Sequence, residues 1–440
     1  MISKEKISNW KENYNKKDKI LENVISNNSI ANLSIVRSKC QNFNPVYNVN
    51  VTPHLKVTNQ KSSGRCWLFA ALNVLRREIC NKYKLDNFEF SQSYLFFWDK
   101  LERMNYNLEC ILRTKEENTD SQLVQHLLND PTCDGGQWDM IVNLVNKYGL
   151  VPKSAYQETH HSSNSRELNA ILKKKFREYA YNLRISSDST LKDKYLEETY
   201  DILCKFLGVP PDNFEWEFID KSKSYHKIQN LSPNSFYKEY VNFNLDDYVC
   251  LIHDPREEHP FNKIYTVKYL GNVFDGKKVK YLNLSIDRIK ELTLQTLKKN
   301  EAVWFGCDVG KSLNRDNCAM DLQQTDQLGL LGINFNLNKE QRLKYRDSLM
   351  THAMVFTGAN VIENHNCLDE KTKINGWEVE NSWSARGPND GYYYMSDEWF
   401  DEYVYEIAIN KNLLNQVEIE LLNEDFNKEL PPWDPMGALA

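Results

Sequence analysis

Apolar residues recur at helical spacing through the first half of the chain and in short strand-like runs through the second. Ile7, Trp10 and Tyr14, then Ile20, Leu21, Val24 and Ile25, predict one or two short amphipathic helices. They form an arm whose apolar side needs a surface, on a second copy or on its own subunit. From Cys66 to Tyr83, the positions Leu68, Ala71, Leu72, Leu75 and Ile79 mark the inward face of a long helix. Helices are also predicted at Ser91–Arg103 and Trp138–Tyr148. Asp134-Gly135-Gly136 opens the second of these, and Gly149 with Pro152 stops it. A charged, aromatic stretch then carries helices at Leu168–Leu183 and Leu191–Phe206.

Beyond residue 245 the pattern turns to strands. Tyr248–Ile252, Ala302–Cys307, Ala353–Thr357, Trp377–Glu380, Gly391–Met395 and Val404–Ile409 are short apolar runs set off by Gly, Asn and Pro. The stretch 358–376 is expected to be a surface loop. Pro431, Pro432 and Pro435 bar helix at those points, so the tail is expected to run extended. The fold class is therefore α+β. Its expected parts are an N-terminal arm (1–50), a helical lobe (51–158), a helical insertion (159–245), a sheet-rich lobe (246–415) and a C-terminal arm (416–440).

Composition narrows the function mainly by exclusion. The 440 residues carry 55 Lys+Arg against 61 Asp+Glu, a net charge of −6, which gives no general attraction to polyanions. Lys173-Lys174-Lys175 and Lys298-Lys299 are runs of the length found on solvated helix faces, so nucleic acid is not indicated. No apolar stretch has the 18 or so residues of a membrane helix, and the N-terminus lacks a secretory apolar core. The ten cysteines are scattered without a C-x-x-C pair. They read as reduced thiols, and no zinc spacing is present. The expectation is a cytoplasmic protein without metal or cofactor.

Three distant pieces carry candidate chemistry: Asn59-Gln60-Lys61-Ser62-Ser63-Gly64-Arg65-Cys66-Trp67, Met350-Thr351-His352-Ala353, and Glu380-Asn381-Ser382-Trp383. Cys66 falls at a helix start, where unpaired N–H groups and the helix dipole favour the nucleophilic thiolate. His352 supplies an imidazole, and Asn381 an acceptor that orients it. Trp383 is placed to shield that hydrogen bond. Gln60, with the Cys66 N–H, is placed to donate to an oxyanion. Taken singly each is weak. A cysteine is by default a small buried hydrophobe, a histidine in an apolar run a satisfied core residue, and an asparagine a turn cap.

Taken together, the three pieces resemble the papain-like cysteine peptidases, and Gly135 and Gly136 resemble the glycines bordering the substrate cleft there. The finer similarity is to the bleomycin hydrolase (aminopeptidase C) group. It runs through Gln60–Phe69, Trp304–Lys311, Ser348–Thr357, Glu380–Trp383, Asp397–Glu406 and the end Trp433–Ala440. Ser384 stands where that group often has glycine. His352 and Asn381 follow Cys66 by 352 − 66 = 286 and 381 − 66 = 315 residues. That is roughly 150 more than the usual papain spacing, the size of an inserted helical stretch.

The resemblance implies a two-lobe papain-like fold and a Cys66–His352–Asn381 mechanism with Gln60 in the oxyanion hole. It also implies peptide substrates, bleomycin-type amide hydrolysis and a homohexamer with internal active sites. In it the C-terminal arm lies in the cleft, and the Ala440 carboxylate pairs with a substrate's α-ammonium, giving aminopeptidase action. A papain-like endopeptidase and a catalytically silent scaffold are the alternatives. Removal of Met436–Ala440 separates the first, and thiol labelling of Cys66 the second.

Overall fold

The computed structural model describes residues 1–15, 19–41, 43–241, 243–362 and 373–438. Among them, twelve strands form one large, mostly antiparallel sheet. Its middle runs Tyr248–Ile252, Val404–Asn410, Val303–Cys307, His352–Ile362, Lys373–Glu380 and Tyr392–Ser396. Val303–Cys307 is buried at every position. Both faces are covered, by the Cys66–Lys82 helix on one side and the Ile286–Lys298 helix on the other. A strand buried on both faces reads as a continuous apolar run, which is why this one was legible. His352 pairs with Cys307 at the start of its strand.

The helical half packs around the Cys66–Lys82 helix, whose residues are buried along almost its whole length. Gln92–Arg113, capped by Ser91 Oγ, continues a full ten residues past the expected stop at Arg103. Met104, Leu108 and Ile111 keep the same buried face. Trp138–Tyr148 ends at Gly149, whose φ of 70° suits glycine. Arg166–Ile185 and Leu191–Leu207 follow.

Several expectations need correction. The insertion is not purely helical: Phe214–Ile219 and Tyr225–Leu231 form a two-stranded hairpin. Phe214 and Trp216 alternate inward onto Phe236, a period of two overlooked among the charges. The Ile286–Lys298 helix, capped by Ser285 Oγ, was not anticipated in the strand-rich half. Of the expected surface loop at 358–376, residues 358–362 and 373–376 are strand and extend a hairpin, and residues 363–372 lie outside the described residues. His160-His161 opens a one-turn helix boxed by Thr159 and Ser162.

The tail also departs from a plainly extended course. Lys428–Leu430 joins the sheet in parallel with Tyr265–Val267. A short 3-10 turn then begins on Pro435, because proline at a first helical position loses no hydrogen bond. At the other end, helices Lys4–Asn15 and Lys19–Asn27 expose Ile7, Trp10, Ile20 and Leu21.

Candidate active site

Antiparallel pairing assembles the site from both halves of the chain. Gln60 N–H donates to Ser382 O at 2.9 Å, and Ser384 N–H to Thr58 O at 3.0 Å. The stretch ahead of Cys66 thus lies along the stretch after Asn381. Deeper in, Arg76 and Arg77 of the Cys66 helix both grip Glu380, at 2.5 Å and 2.6 Å. All three are buried, so the Cys66 helix and the end of the Lys373–Glu380 strand are locked in register.

Cys66 opens its helix with no side chain capping the first turn. The early N–H groups are therefore free to face the sulfur. Burial pushes the Cys66 thiol up to about 11, while the N–H groups of Ala353, Trp67 and Cys66 pull the other way. Burial likewise holds the His352 imidazole down to about 4, with the Asn381 hydrogen bond opposing and Arg315 assisting. Each group alone resists charge. A proton passing from Sγ to the ring charges both at once without adding net charge to the cavity.

The ring's tautomer follows from its neighbours. Asn381 Oδ1 accepts the Ser382 backbone N–H at 2.7 Å, so that atom is the oxygen. His352 Nε2, 2.9 Å away, must then donate to it. In the neutral ring Nδ1 is left without a proton. The Trp383 indole stacks on the imidazole at 4.8 Å and walls off this hydrogen bond.

Gln60 is held by both ends of its amide. Oε1 accepts from Ser382 Oγ at 2.6 Å, and Nε2 donates to Ser63 O at 2.7 Å. One Nε2 hydrogen remains for another acceptor. Gln60, Cys66, Thr351, His352 and Gly135 line one cavity of about 550 Å³.

The Gly-Gly segment forms a wall of that cavity. Asp134 takes hydrogen bonds from Gly64 N, Ser165 and Asn169 and an ion pair from Lys100 at 2.7 Å. Burial opposes its ionisation, but Lys100 and those hydrogen bonds hold the carboxyl far below its ordinary value. Gly136 lies behind the wall: a Cβ there would sit 2.6 Å from the Trp67 ring. Ser384 has a φ of 71°, the left-handed region glycine enters freely. That is the physical reason a glycine suits this position.

The tail reaches the same wall. Arg256 grips Asp434 with two hydrogen bonds of 3.0 Å and 2.7 Å while also holding Asp254. His259 Nδ1 lies 2.6 Å from Asp254. Met436 is buried, and Gln137, next to Gly136, donates to Ala438 O at 2.6 Å. Ala440, the expected partner of a substrate amine, lies outside the described residues. Sequence reasoning missed Ser382, Gln137, Arg256 and the Arg76–Arg77–Glu380 clamp. Ser382 and Glu380, inside the Glu380–Trp383 motif, and Asp434, inside the tail motif, carried a signal.

The nine described cysteines are all unpaired. Among the described residues no helix is long and apolar enough to cross a membrane.

Residues 1–437 match the model of the Peptidase C1-like family. The chain is 44% identical to bleomycin hydrolase of Mus musculus over 435 residues, 96% of this chain and 94% of the relative. It is 43% identical to aminopeptidase C of Lactococcus lactis subsp. lactis over 431 residues, 97% and 96% of the two. The crystal structure of PepW from Lactobacillus rhamnosis HN001 superposes with a TM-score of 0.94 at 41% identity, covering 100% of this chain and 99% of that one.

Proposed function

The chain belongs to the Peptidase C1-like family and is a cysteine peptidase of the papain superfamily with its papain-like fold, and from that premise we propose that it is an aminopeptidase releasing N-terminal residues from peptides. The observation that carries this reading is the cavity shared by Cys66, His352 and Gln60, with Asn381 fixing the imidazole.

In the proposed cycle His352 Nδ1 takes the Cys66 proton as Sγ attacks the substrate carbonyl. The oxyanion forms against Gln60 Nε2 and the Cys66 N–H. The imidazolium then protonates the leaving amine, and the carbon–nitrogen bond breaks to leave a thioester. His352 next removes a proton from water, whose oxygen displaces Sγ; the acid leaves, and the imidazolium returns its proton to the thiolate to restore the starting pair.

The tail limits access. Gln137, two residues from the cavity-lining Gly135, holds it at Ala438. The carboxylate of Ala440 takes the substrate's α-ammonium. Room is left for about one residue before the scissile bond, so the chain acts from the N-terminus. The names of its relatives extend the reading to bleomycin-type amides. A cytoplasmic homohexamer, with the exposed apolar residues of the N-terminal arm covered by neighbouring copies, completes the proposal.

The test compares amides with free and blocked amino termini. Cys66→Ala should abolish hydrolysis of both, and a thiol alkylator should label the parent at Cys66. Removing Met436–Ala440 should raise cleavage of blocked and internal bonds relative to free ones. Unchanged hydrolysis by Cys66→Ala ends the reading. Equal cutting of blocked substrates before and after truncation shows that the tail does not gate.

A further inference from the structure

Arg315 lies in the turn between the short strands Leu313–Asn314 and Ala319–Met320 at the sheet edge. Asn317 N–H donates to Asn314 Oδ1 at 3.2 Å, and Asn317 Nδ2 donates to Gln324 Oε1 at 3.1 Å. Cys318 Sγ donates to Arg386 O at 3.6 Å, fixing the turn against the segment that follows Trp383. The guanidinium carbon of Arg315 sits 4.7 Å from the Trp383 ring centroid, and that ring stacks at 4.8 Å on His352.

Three of the other arginines that lie over rings are tied to carboxylates, while Arg113 over Phe274, among the described residues, is not. Arg65 is bound by Glu158, Arg103 by Asp99 and Arg342 by Glu402. The Arg315 side chain is exposed, and among the described residues its guanidinium has neither a carboxylate nor a hydrogen-bond acceptor. Stacking holds the plane of a guanidinium while leaving its edge N–H groups free for a carboxylate.

Its position relative to the chemistry assigns the ligand. His352 hands its proton to the leaving nitrogen, so the leaving fragment departs on the imidazole's side. Elsewhere on the cavity rim, Gln137 holds Ala438 of the chain's own tail. The outward path from His352 crosses Trp383 and meets Arg315, two stacking contacts away. Two extended residues span about 7 Å, so the first or second residue of the leaving fragment reaches the guanidinium.

We propose that Arg315 is a specificity residue that binds a carboxylate on the leaving fragment. The proposal rests on the peptidase reading above. That carboxylate has two sources: the C-terminus of a di- or tripeptide, or an Asp or Glu side chain at the first or second leaving position.

The experiment uses the full chain and compares Arg315→Met and Arg315→Lys with the parent. Substrates share one N-terminal residue. They are a dipeptide and a tripeptide acid, their C-terminal amides, the dipeptide amide with Asp in the leaving position, and an aminoacyl amide with an uncharged aromatic leaving group. The parent should favour the acids over their amides in kcat/KM by roughly tenfold or more, and added salt should shrink that ratio. Arg315→Met should bring the ratio within about twofold of one. Arg315→Lys should retain part of the preference. Preference for peptide acids points to short peptides, and preference for the Asp amide points to acidic side chains. An acid-to-amide ratio unchanged by Arg315→Met overturns the proposal, as does an equal loss on every substrate, which would place the effect on His352. Failure of the underlying reading appears separately, as hydrolysis of the uncharged substrate by Cys66→Ala.

Discussion

His352 Nε2 donates to Asn381 Oδ1 across 2.9 Å, and the same oxygen accepts the Ser382 N–H at 2.7 Å. The doubly engaged oxygen fixes both the ring's orientation and its tautomer. Asn381→Ala removes the acceptor and leaves the ring free to turn. A hydrogen bond to a group that becomes charged contributes about 1.5–3 kcal/mol. The variant should lose roughly 10- to 150-fold in kcat/KM, at about 1.4 kcal/mol per factor of ten. Steady-state kinetics on one aminoacyl amide reads this, and alkylation of Cys66 should still go to completion.

Gln60 offers its remaining Nε2 hydrogen only because Ser382 Oγ and Ser63 O hold the amide in place. Loss of one oxyanion donor costs roughly 10²–10³ in kcat, so Gln60→Ala should lose about that much. Ser382→Ala leaves the donor present but looser and should lose clearly less. Equal losses would mean that Gln60 only shapes the loop.

How legible these features were follows from the range of each signal. Cys66, His352 and Asn381 each lie in a local motif, and Val303–Cys307 is a continuous apolar run. Arg256, Glu380 and Gln137 act through partners 178, 304 and 301 residues away, and no local pattern encodes such a pairing. The hairpin at Phe214–Leu231 hid because its outward residues include Glu215, Glu217 and Lys227, and those charges also suit a helix face. The left-handed backbone at Ser384 gave no sign through a residue type that does not favour it.

Glu380 joins the two halves of the site by charge in a buried place. Its carboxylate is fully enclosed, and Arg76 and Arg77 are nearly so. Replacing it by leucine strands two buried cations, and breaking such a pair costs about 3–5 kcal/mol. Glu380→Leu should show that loss as a lower urea midpoint, together with reduced activity because the Lys373–Glu380 strand loses its tie to the Cys66 helix. A double replacement with Arg76→Met and Arg77→Met should recover part of the stability.

Asp434 anchors the tail from a distance. Arg256 reaches it with two nitrogens, and Met436 N–H donates to the same carboxylate at 2.9 Å. Asp434→Asn keeps the shape but removes the charge. The tail should then detach more often, and hydrolysis of blocked peptides should rise relative to free ones, as for the truncation but less completely. A ratio that stays at the parent value would show that Gln137 and the buried Met436 hold the tail without the ion pair.

Glu406 sets a pH dependence of stability. It lies in the Val404–Asn410 strand, fully buried, with both side-chain oxygens lacking a hydrogen-bond partner among the described residues. Burial pushes its carboxyl up to about 8, and the nearby Asp139 adds to this while Cys250 opposes. Lys277 faces the cluster but pairs with Asp139 at 2.7 Å. Below the ordinary value of 4.5 both folded and unfolded chains hold the proton. Between 4.5 and about 8 the unfolded chain has released it and the folded chain has not, so stability falls as pH rises. Above about 8 both are ionised and the loss is complete, amounting to a few kcal/mol at about 1.4 per pH unit. Glu406→Gln should flatten this slope. Its unfolding midpoint should exceed the parent's at pH 8 and differ little at pH 4.5. A parent whose stability does not decline across that window would show that the buried carboxyl finds compensation from Lys277.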